Sequence, residues 1–523
     1  MFNRSENQTS IIVEENVRTA LSVAKIALGL FALGIMGLHA DEWPMYGQNL
    51  SHTFSNNQSL INRFNVSSLR PAWFFQTGDA VSASPAVVNG VVYVGSWDGF
   101  FYALNADPRA AKRVKWQVPV DCQYSVIPIP RRCLPPGTPP PDRTMTDGGI
   151  ITSSAAAVNG IVYFGAGKTL YALDAASGNK VWKRVICGNP NDPINCPNGA
   201  KDPTRIFSSP AVFFSPDEPE GLVFVGHTAD GANHYRGGFE AFNATTGALR
   251  WRFEVDPIFN KGQVVGGNNR GCGSVWSSAA VDPKAGLVFF GTGDCSASPP
   301  SPYQPLYHEA IIALNAKTGK LVWYYQPRNA DNCDFDFGAS PNVIDLGFAR
   351  FVGLGGKDGT YYLLNESGWL AWKSKRVVFG GSIGGFFGGA AFDGQHIFSA
   401  TAVGDPPGFF HCSSDFRDQP LQEPSMHALN VWNGQIYWES LFNHSFGATS
   451  LANGVVYSGL VKIPSVSQPA VKAYDASSGG LLKTFPMPGS VNSAATPVGK
   501  MLFVTSGNST DGMGGGVSAF TLP

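Results

Sequence analysis

The chain has little charge. Lysine, arginine, aspartate and glutamate make up 14% of its 523 residues, and the formal net charge is -1. A balance so small and so even offers no field for nucleic acid or for an anionic membrane. Long apolar runs are scarce as well. The uncharged stretch from Ile26 to Leu38 is about 13 residues, short of the ~20 that cross a bilayer. No Cys-x-x-Cys-His occurs, so that motif attaches no covalent haem. The glycine-rich runs Gly381 to Gly389 and Gly512 to Gly516 do not join a strand to a helix, which argues against a phosphate cradle. His227, His234, His308, His411, His427 and His444 show no metal-ligand spacing and read as loop residues at the surface.

What is abundant points one way. Sixty-one glycines, 37 prolines and 12% aromatic residues suit an all-β protein with many turns, and 43% apolar residues can bury a large core. Residues 1 to 40 read as an export signal cleaved after Ala40, with an uncleaved signal anchor as the alternative. The expectation is a periplasmic or secreted protein with a single domain over 41 to 523. Export permits disulfides, and the eight cysteines are an even number. Cys122 with Cys133 and Cys187 with Cys196 would close short loops, while the pairing of Cys272, Cys295, Cys333 and Cys412 stays open.

One unit recurs along the chain: Ser-Pro-x-Val, a turn, an apolar run ending in Gly, a loop, an aromatic-Ala-Leu-Asn/Asp-Ala run, Thr/Ser-Gly, then Trp. Its clearest copy runs from Ser153 to Trp182. Copies begin near Ser84, Ser154, Ser209, Ser278, Ser340, Gly389, Thr449 and Ala494. Short alternating segments split by Asn-Gly, Asp-Gly and Ser-Gly are strands joined as hairpins. Four strands per unit in eight units predict an eight-bladed β-propeller of four-stranded antiparallel blades. The last unit shows three strands, and Leu69 to Phe75, with Trp73 in the repeat position, supplies the fourth and closes the ring. Loops between strands two and three, and from strand four into the next blade, are long. Both classes leave a propeller on one face, where a binding site belongs.

The residues that depart from the unit cluster between Gly271 and Lys357. Trp116, Trp182, Trp251, Trp323 and Trp438 hold the repeat position and read as packing between blades. Trp276 instead precedes the first strand of blade four, where its flat ring could support a flat ligand. Asp230, Asp294, Asp334 and Asp336 approach the same mouth from successive blades, each of which alone could be a turn residue capping its own backbone. Converging carboxylates repel one another and call for a cation, a shared proton or a basic partner, and oxygen ligands favour a hard ion such as Ca²⁺. Lys357, after the second strand of blade five, supplies a positive donor.

These residues resemble the quinoprotein alcohol dehydrogenases, and most of all their polyvinyl alcohol dehydrogenase branch. The resemblance spans about 43 to 523, through Trp43-Pro44-Met45-Tyr46-Gly47 at the opening and Asp334-Phe335-Asp336-Phe337-Gly338-Ala339-Ser340-Pro341 at blade five. It implies that Trp276 lies under pyrroloquinoline quinone and that Asp294 stands where the family's Gly-Thr-Gly-Asn has a Ca²⁺ ligand. It puts the catalytic role on Asp334, which would also touch the metal, and sets Lys357 and Asp336 beside the quinone. The family's blade-three glutamate matches Asp230, upstream of Arg236-Gly237, across a gap. Departures are Asp for Asn at 294, Asp for Glu at 230 and Cys for Trp at 333. The adjacent-cysteine disulfide and the fused cytochrome of some relatives are absent.

The expectation is an exported dehydrogenase that oxidises an alcohol, secondary or polymeric, with the quinone and Ca²⁺, and passes electrons to an external acceptor such as a cytochrome c. The rival is a propeller without cofactor, a scaffold or binding protein of the cell envelope.

Overall fold

The computed structural model describes residues 41–121, 151–186, 204–228, 237–255, 273–293, 306–328, 334–378, 380–381, 384–402, 423–463, 467–507 and 515–523. The eight cysteines, Asp230 and Asp294 lie outside the described residues. Within them, 32 strands form eight sheets of four, each antiparallel. The first strands of the eight blades are short: Ala86–Val88, Ala156–Val158, Ala211–Ser215, Ala280–Asp282, Asn342–Asp345, Ala391–Phe392, Ser450–Ala452 and Thr496–Val498. They approach one another around the ring, as expected of strands that line a central axis. Their starts follow the eight copies of the sequence unit. Blade eight takes its outer strand from the other end of the chain: Arg70–Gln76 pairs with Gly516–Thr521.

Each recurring slot of the unit has a physical task. The Asn-Gly turns at Asn89-Gly90, Asn159-Gly160 and Asn453-Gly454 hold both central residues at positive φ, the twist that matches a hairpin. The hydroxyl before the first strand bonds to its neighbour. Ser84 N–H donates to Ser154 Oγ, Ser154 to Ser209, Ser209 to Ser278, Ser278 to Ser340 and Ala494 to Ser84, all at 2.9 to 3.1 Å. This belt satisfies buried amides that face no strand. Gly389 leaves the belt at blade six, and the ring of Phe54 occupies the space its Cβ would need.

A fourth-strand Trp fastens seven of the eight blades to the next. The indole N–H of Trp73, Trp116, Trp182, Trp251, Trp323, Trp372 and Trp438 donates to a carbonyl of the following blade at 2.8 to 3.1 Å. Six of these rings press on the turn glycine beyond, as Trp182 does on Gly247 and Trp372 on Gly434. Blade seven has Lys483 opposite Ala473 in this slot, and its Nζ donates to Ser67 O and Leu69 O. In blade eight the third and fourth strands come from opposite ends of the chain, so no turn glycine exists there to receive an indole.

A strap formed by residues 43 to 56 crosses the inner strand edges. Carbonyls of Trp43, Pro44, Leu50, Ser51, Thr53 and Phe54 accept from Val87, Ala157, Val281, Val343, Phe392 and Leu451, in blades one, two, four, five, six and seven. Edge amides left bare would be open to other strands. The strap bonds within the first strands, whereas the belt hydroxyls precede them, so the far mouth lies beyond the belt.

Candidate active site

At that far mouth, segments leading into blades four and five bring charge and an aromatic ring together. Gly338 stands two residues before the belt residue Ser340, and a Cβ there would lie inside the six-membered ring of Trp276. Only glycine leaves the indole this shelf. Trp276 is half-buried, and its Nε1 donates to Asp336 Oδ2 at 3.1 Å.

Lys357 enters from the loop after the strand Arg350–Gly355. Its backbone N–H donates to Asp336 O at 2.9 Å, which stitches that loop to the lead-in segment of its own blade. Its Nζ donates to Asp334 Oδ1 at 2.8 Å and lies 3.1 Å from Asp336 Oδ2. The same Nζ sits 5.4 Å from the centre of the Trp276 ring and 5.5 Å from that of Phe387, within cation–π range of both. Burial disfavours the ammonium, but the carboxylates of Asp336 and Asp334 outweigh it and hold the Lys357 pKa above its ordinary value. Lys357 is therefore a permanent cation shared by two carboxylates.

Trp276, Asp334, Asp336 and Lys357, assigned from the sequence, thus meet in one cluster. Of the other two assigned residues only the neighbours are described. A Cβ on Gly293, the residue before position 294, would come within 3.1 to 3.2 Å of the Asp336 carboxylate. Thr228 Oγ1 donates to Ser274 Oγ at 2.5 Å, two residues before Trp276. No group of three or more His, Cys, Asp or Glu side chains placed to hold a metal occurs among the described residues.

Sequence reasoning missed Phe387 and Phe446, whose rings meet edge to face at 5.1 Å, with Phe387 5.7 Å from Trp276. Phe387 holds the same place before Gly389 that Trp276 holds before Ser278, so alignment of the repeats could have found it. The histidines need correction. His227, His308 and His427 are buried, not at the surface. His227 ends the strand Glu218–His227, His308 lies just before Ile311–Asn315 and His427 lies within Ser425–Asn430, where the loop-rich sequence around them conceals the packing, while His234 and His411 lie outside the described residues.

The chain is an eight-bladed propeller with a buried ammonium between two carboxylates at one mouth, beside a half-buried indole. Residues 43–368 match the family model described as glucose/ethanol/alcohol dehydrogenase, beta-propeller domain, the PQQ family, and the chain belongs to that family. The chain is 27% identical over 365 residues to the dehydrogenase subunit of the quinone alcohol dehydrogenase of Gluconobacter oxydans, covering 63% of this chain and 44% of that protein. It is 25% identical over 437 residues to the polyvinylalcohol dehydrogenase of a Pseudomonas species, covering 76% and 59%. The matched region thus spans about half the length of these curated relatives. The crystal structure of quinohemoprotein alcohol dehydrogenase from Comamonas testosteroni superposes with a TM-score of 0.70 at 20% identity, over 92% of this chain and 80% of that one, which establishes the shared fold.

Proposed function

We propose that the chain is an exported alcohol dehydrogenase that works with pyrroloquinoline quinone, acts on secondary or polymeric alcohols, and hands electrons to an external carrier such as a cytochrome c. The observation that carries this reading is the Lys357 ammonium bridging Asp334 and Asp336 beside the open indole of Trp276.

The residues fit the quinone. The Gly338 shelf lays a flat ring at the mouth, and Lys357 brings a fixed positive donor next to it. Bound there, pyrroloquinoline quinone would supply the two-electron acceptor that the carbon-bound hydrogen of an alcohol requires. Asp334 is the general base: one of its oxygens faces Lys357, and it takes the proton of the alcohol hydroxyl. Lys357 anchors Asp334 against rotation. Asp336, fixed by Trp276 and Lys357 together, holds the indole in its plane. Phe387 and Phe446 offer apolar surface to the carbon chain of the substrate. Ca²⁺ would use Asp334 together with Asp230 and Asp294, and its hard-ion preference suits such carboxylate oxygens.

The test is purified protein supplied with quinone and Ca²⁺, assayed on primary, secondary and polymeric alcohols with a dye acceptor. Turnover is expected, and Asp334→Asn should lower it about 10²- to 10⁴-fold, the usual range for a lost general base. Wild-type protein inactive on every alcohol, or Asp334→Asn matching wild type, ends the reading.

A further inference from the structure

Arg328 stands where three loops meet. Its Nε donates to Glu309 Oε2 at 3.0 Å, Nη1 to Asp358 Oδ2 at 2.9 Å, and Nη2 to the carbonyl of Phe335 at 2.8 Å. The other oxygen of Glu309 accepts the Phe335 N–H at 2.8 Å. One ion pair therefore grips both the N–H and the C=O of Phe335, and the guanidinium lies 4.9 Å over the centre of its buried ring.

The gripped residue is the one between Asp334 and Asp336. Asp334 has φ 56°, a conformation that costs a non-glycine residue about 1 kcal/mol or more and persists only where the surroundings impose it. Glu309 is itself at φ 41°, and its N–H donates to Gly293 O at 3.0 Å. Asp358 follows Lys357 directly and is further held by the hydroxyl of Tyr362 at 2.5 Å and the N–H of Thr360 at 3.0 Å. The three arms of one planar side chain thus tie the blade-four loop at Gly293, the Asp334–Asp336 segment and the Lys357 loop into one body. A lysine ammonium lacks the rigid fork needed to serve three directions at once.

We infer that Arg328, with Glu309 and Asp358, is the positioning device of the site: it sets the Phe335 peptide and so fixes where Asp334 and Asp336 meet Lys357. The Lys357 ammonium pairs with Asp334 and Asp336, while the trio holds the Phe335 peptide between them and so acts through the backbone. Its kinetic consequence rests on the dehydrogenase reading, whereas its structural consequence does not.

The experiment uses the full chain carrying 5-fluorotryptophan, with the Trp276 resonance assigned by its loss in Trp276→Phe. Arg328→Lys should move or split the ¹⁹F signal of Trp276, whose N–H donates to Asp336, and leave the signals of Trp182 and Trp438 in place. In the same protein kcat should fall about tenfold or more, with KM for the alcohol within about threefold, as expected when a reacting group is displaced but binding surfaces persist. Should Arg328→Lys fail to fold, Glu309→Gln decides the matter. It keeps an acceptor for Phe335 N–H but turns a donor towards Arg328, and should give a smaller shift and a smaller fall in the same direction. A Trp276 signal unmoved in a folded variant, or kcat unchanged within about twofold while wild type is active, overturns the inference. An inactive wild type would sink the dehydrogenase reading alone, because the ¹⁹F signal still decides the positioning role.

Discussion

Blades one and five carry nearly the same loop after the second strand, Gly95-Ser96-Trp97-Asp98-Gly99 and Gly355-Gly356-Lys357-Asp358-Gly359. Asp98 accepts from Phe100 N–H and Tyr102 hydroxyl just as Asp358 accepts from Thr360 N–H and Tyr362 hydroxyl. Trp97 N–H donates to Ala80 O, and Lys357 N–H to Asp336 O, so the lead-in segments also coincide. The side chains differ. Trp97 spends its indole N–H on Ser82 Oγ, 3.0 Å away, with the methyl of Ala80 in the place of a carboxylate. In blade five Asp336 and Lys357 occupy the matching positions and form an ion pair. Blades one and five thus share one pair of loops, and two replaced side chains turn an uncharged contact in the first into an ion pair in the other.

The comparison breaks most sharply at Lys357. Lys357→Met should abolish most turnover and leave Asp334 and Asp336 facing each other without their shared cation. Removing one partner of a buried ion pair costs about 3–5 kcal/mol. Much of that should be regained in the double variant Lys357→Met with Asp336→Ala, which reproduces the uncharged arrangement of blade one at position 336. Urea unfolding of both proteins checks it, and equal stabilities would show that the carboxylates do not depend on the lysine.

The slot that joins blades gives a second contrast. Trp182→Ala should cost about 3–5 kcal/mol, the usual range for removing a buried indole and leaving its cavity. Lys483→Ala, at the seam, should cost about 1 kcal/mol, because it removes hydrogen bonds from a half-exposed ammonium. Denaturant midpoints for the two proteins, with unchanged slopes, decide the ratio.

Much of this was legible in the sequence, and the reasons differ element by element. A belt hydroxyl stands before the first strand in six copies, with Gly389 and Ala494 in its slot in the other two, and the spacing of these slots let eight blade starts be read directly. Trp276, Asp334 and Lys357 were legible because each interrupts the repeat. Trp372 was passed over: its turn, Ser367-Gly368, is followed by Trp369 and Leu370, and the exposed Trp369 masks the packed Trp372 two residues after Leu370. The strap was invisible because it binds through its own backbone carbonyls, which leave no sequence signature. Glu309 and Arg328 meet only in three dimensions, and no period links them. Asp230 and Asp294, assigned through resemblance, lie outside the described residues and stand as proposals.

Burial of neutral imidazoles separates the strap and the blade-six core from the charged mouth in their response to acid. Burial depresses His52 and His427 to a pKa of about 4, against about 6.5 in an unfolded chain. Between those values the unfolded chain binds protons that the folded one refuses. Stability is therefore full above about pH 6.5 and falls as pH drops towards 4. At pH 5 each histidine should remove about 2 kcal/mol, since every tenfold difference in proton affinity between the two states is worth about 1.4 kcal/mol. His427→Phe, placed against Phe386 and freed of a ring nitrogen that has no partner, should flatten part of that acid limb. Thermal unfolding from pH 7 to 5 measures it, and parallel curves for variant and wild type would show that His427 does not carry the effect.

The smallest expected effect returns to the paired loops. Asp98→Asn keeps the shape of the blade-one aspartate but turns an amide towards Gly78 N–H or Tyr102 hydroxyl, both of which donate to Asp98 Oδ2. One hydrogen bond is lost in a site without a reacting group, so stability should fall by about 1 kcal/mol and kcat should not change. Asp358→Asn loses the matching bond and, in addition, one arm of Arg328. Its stability change should be larger and kcat should fall with it. Equal kinetic behaviour in the two variants would mean that the Asp358 loop serves packing alone, as its counterpart in blade one does.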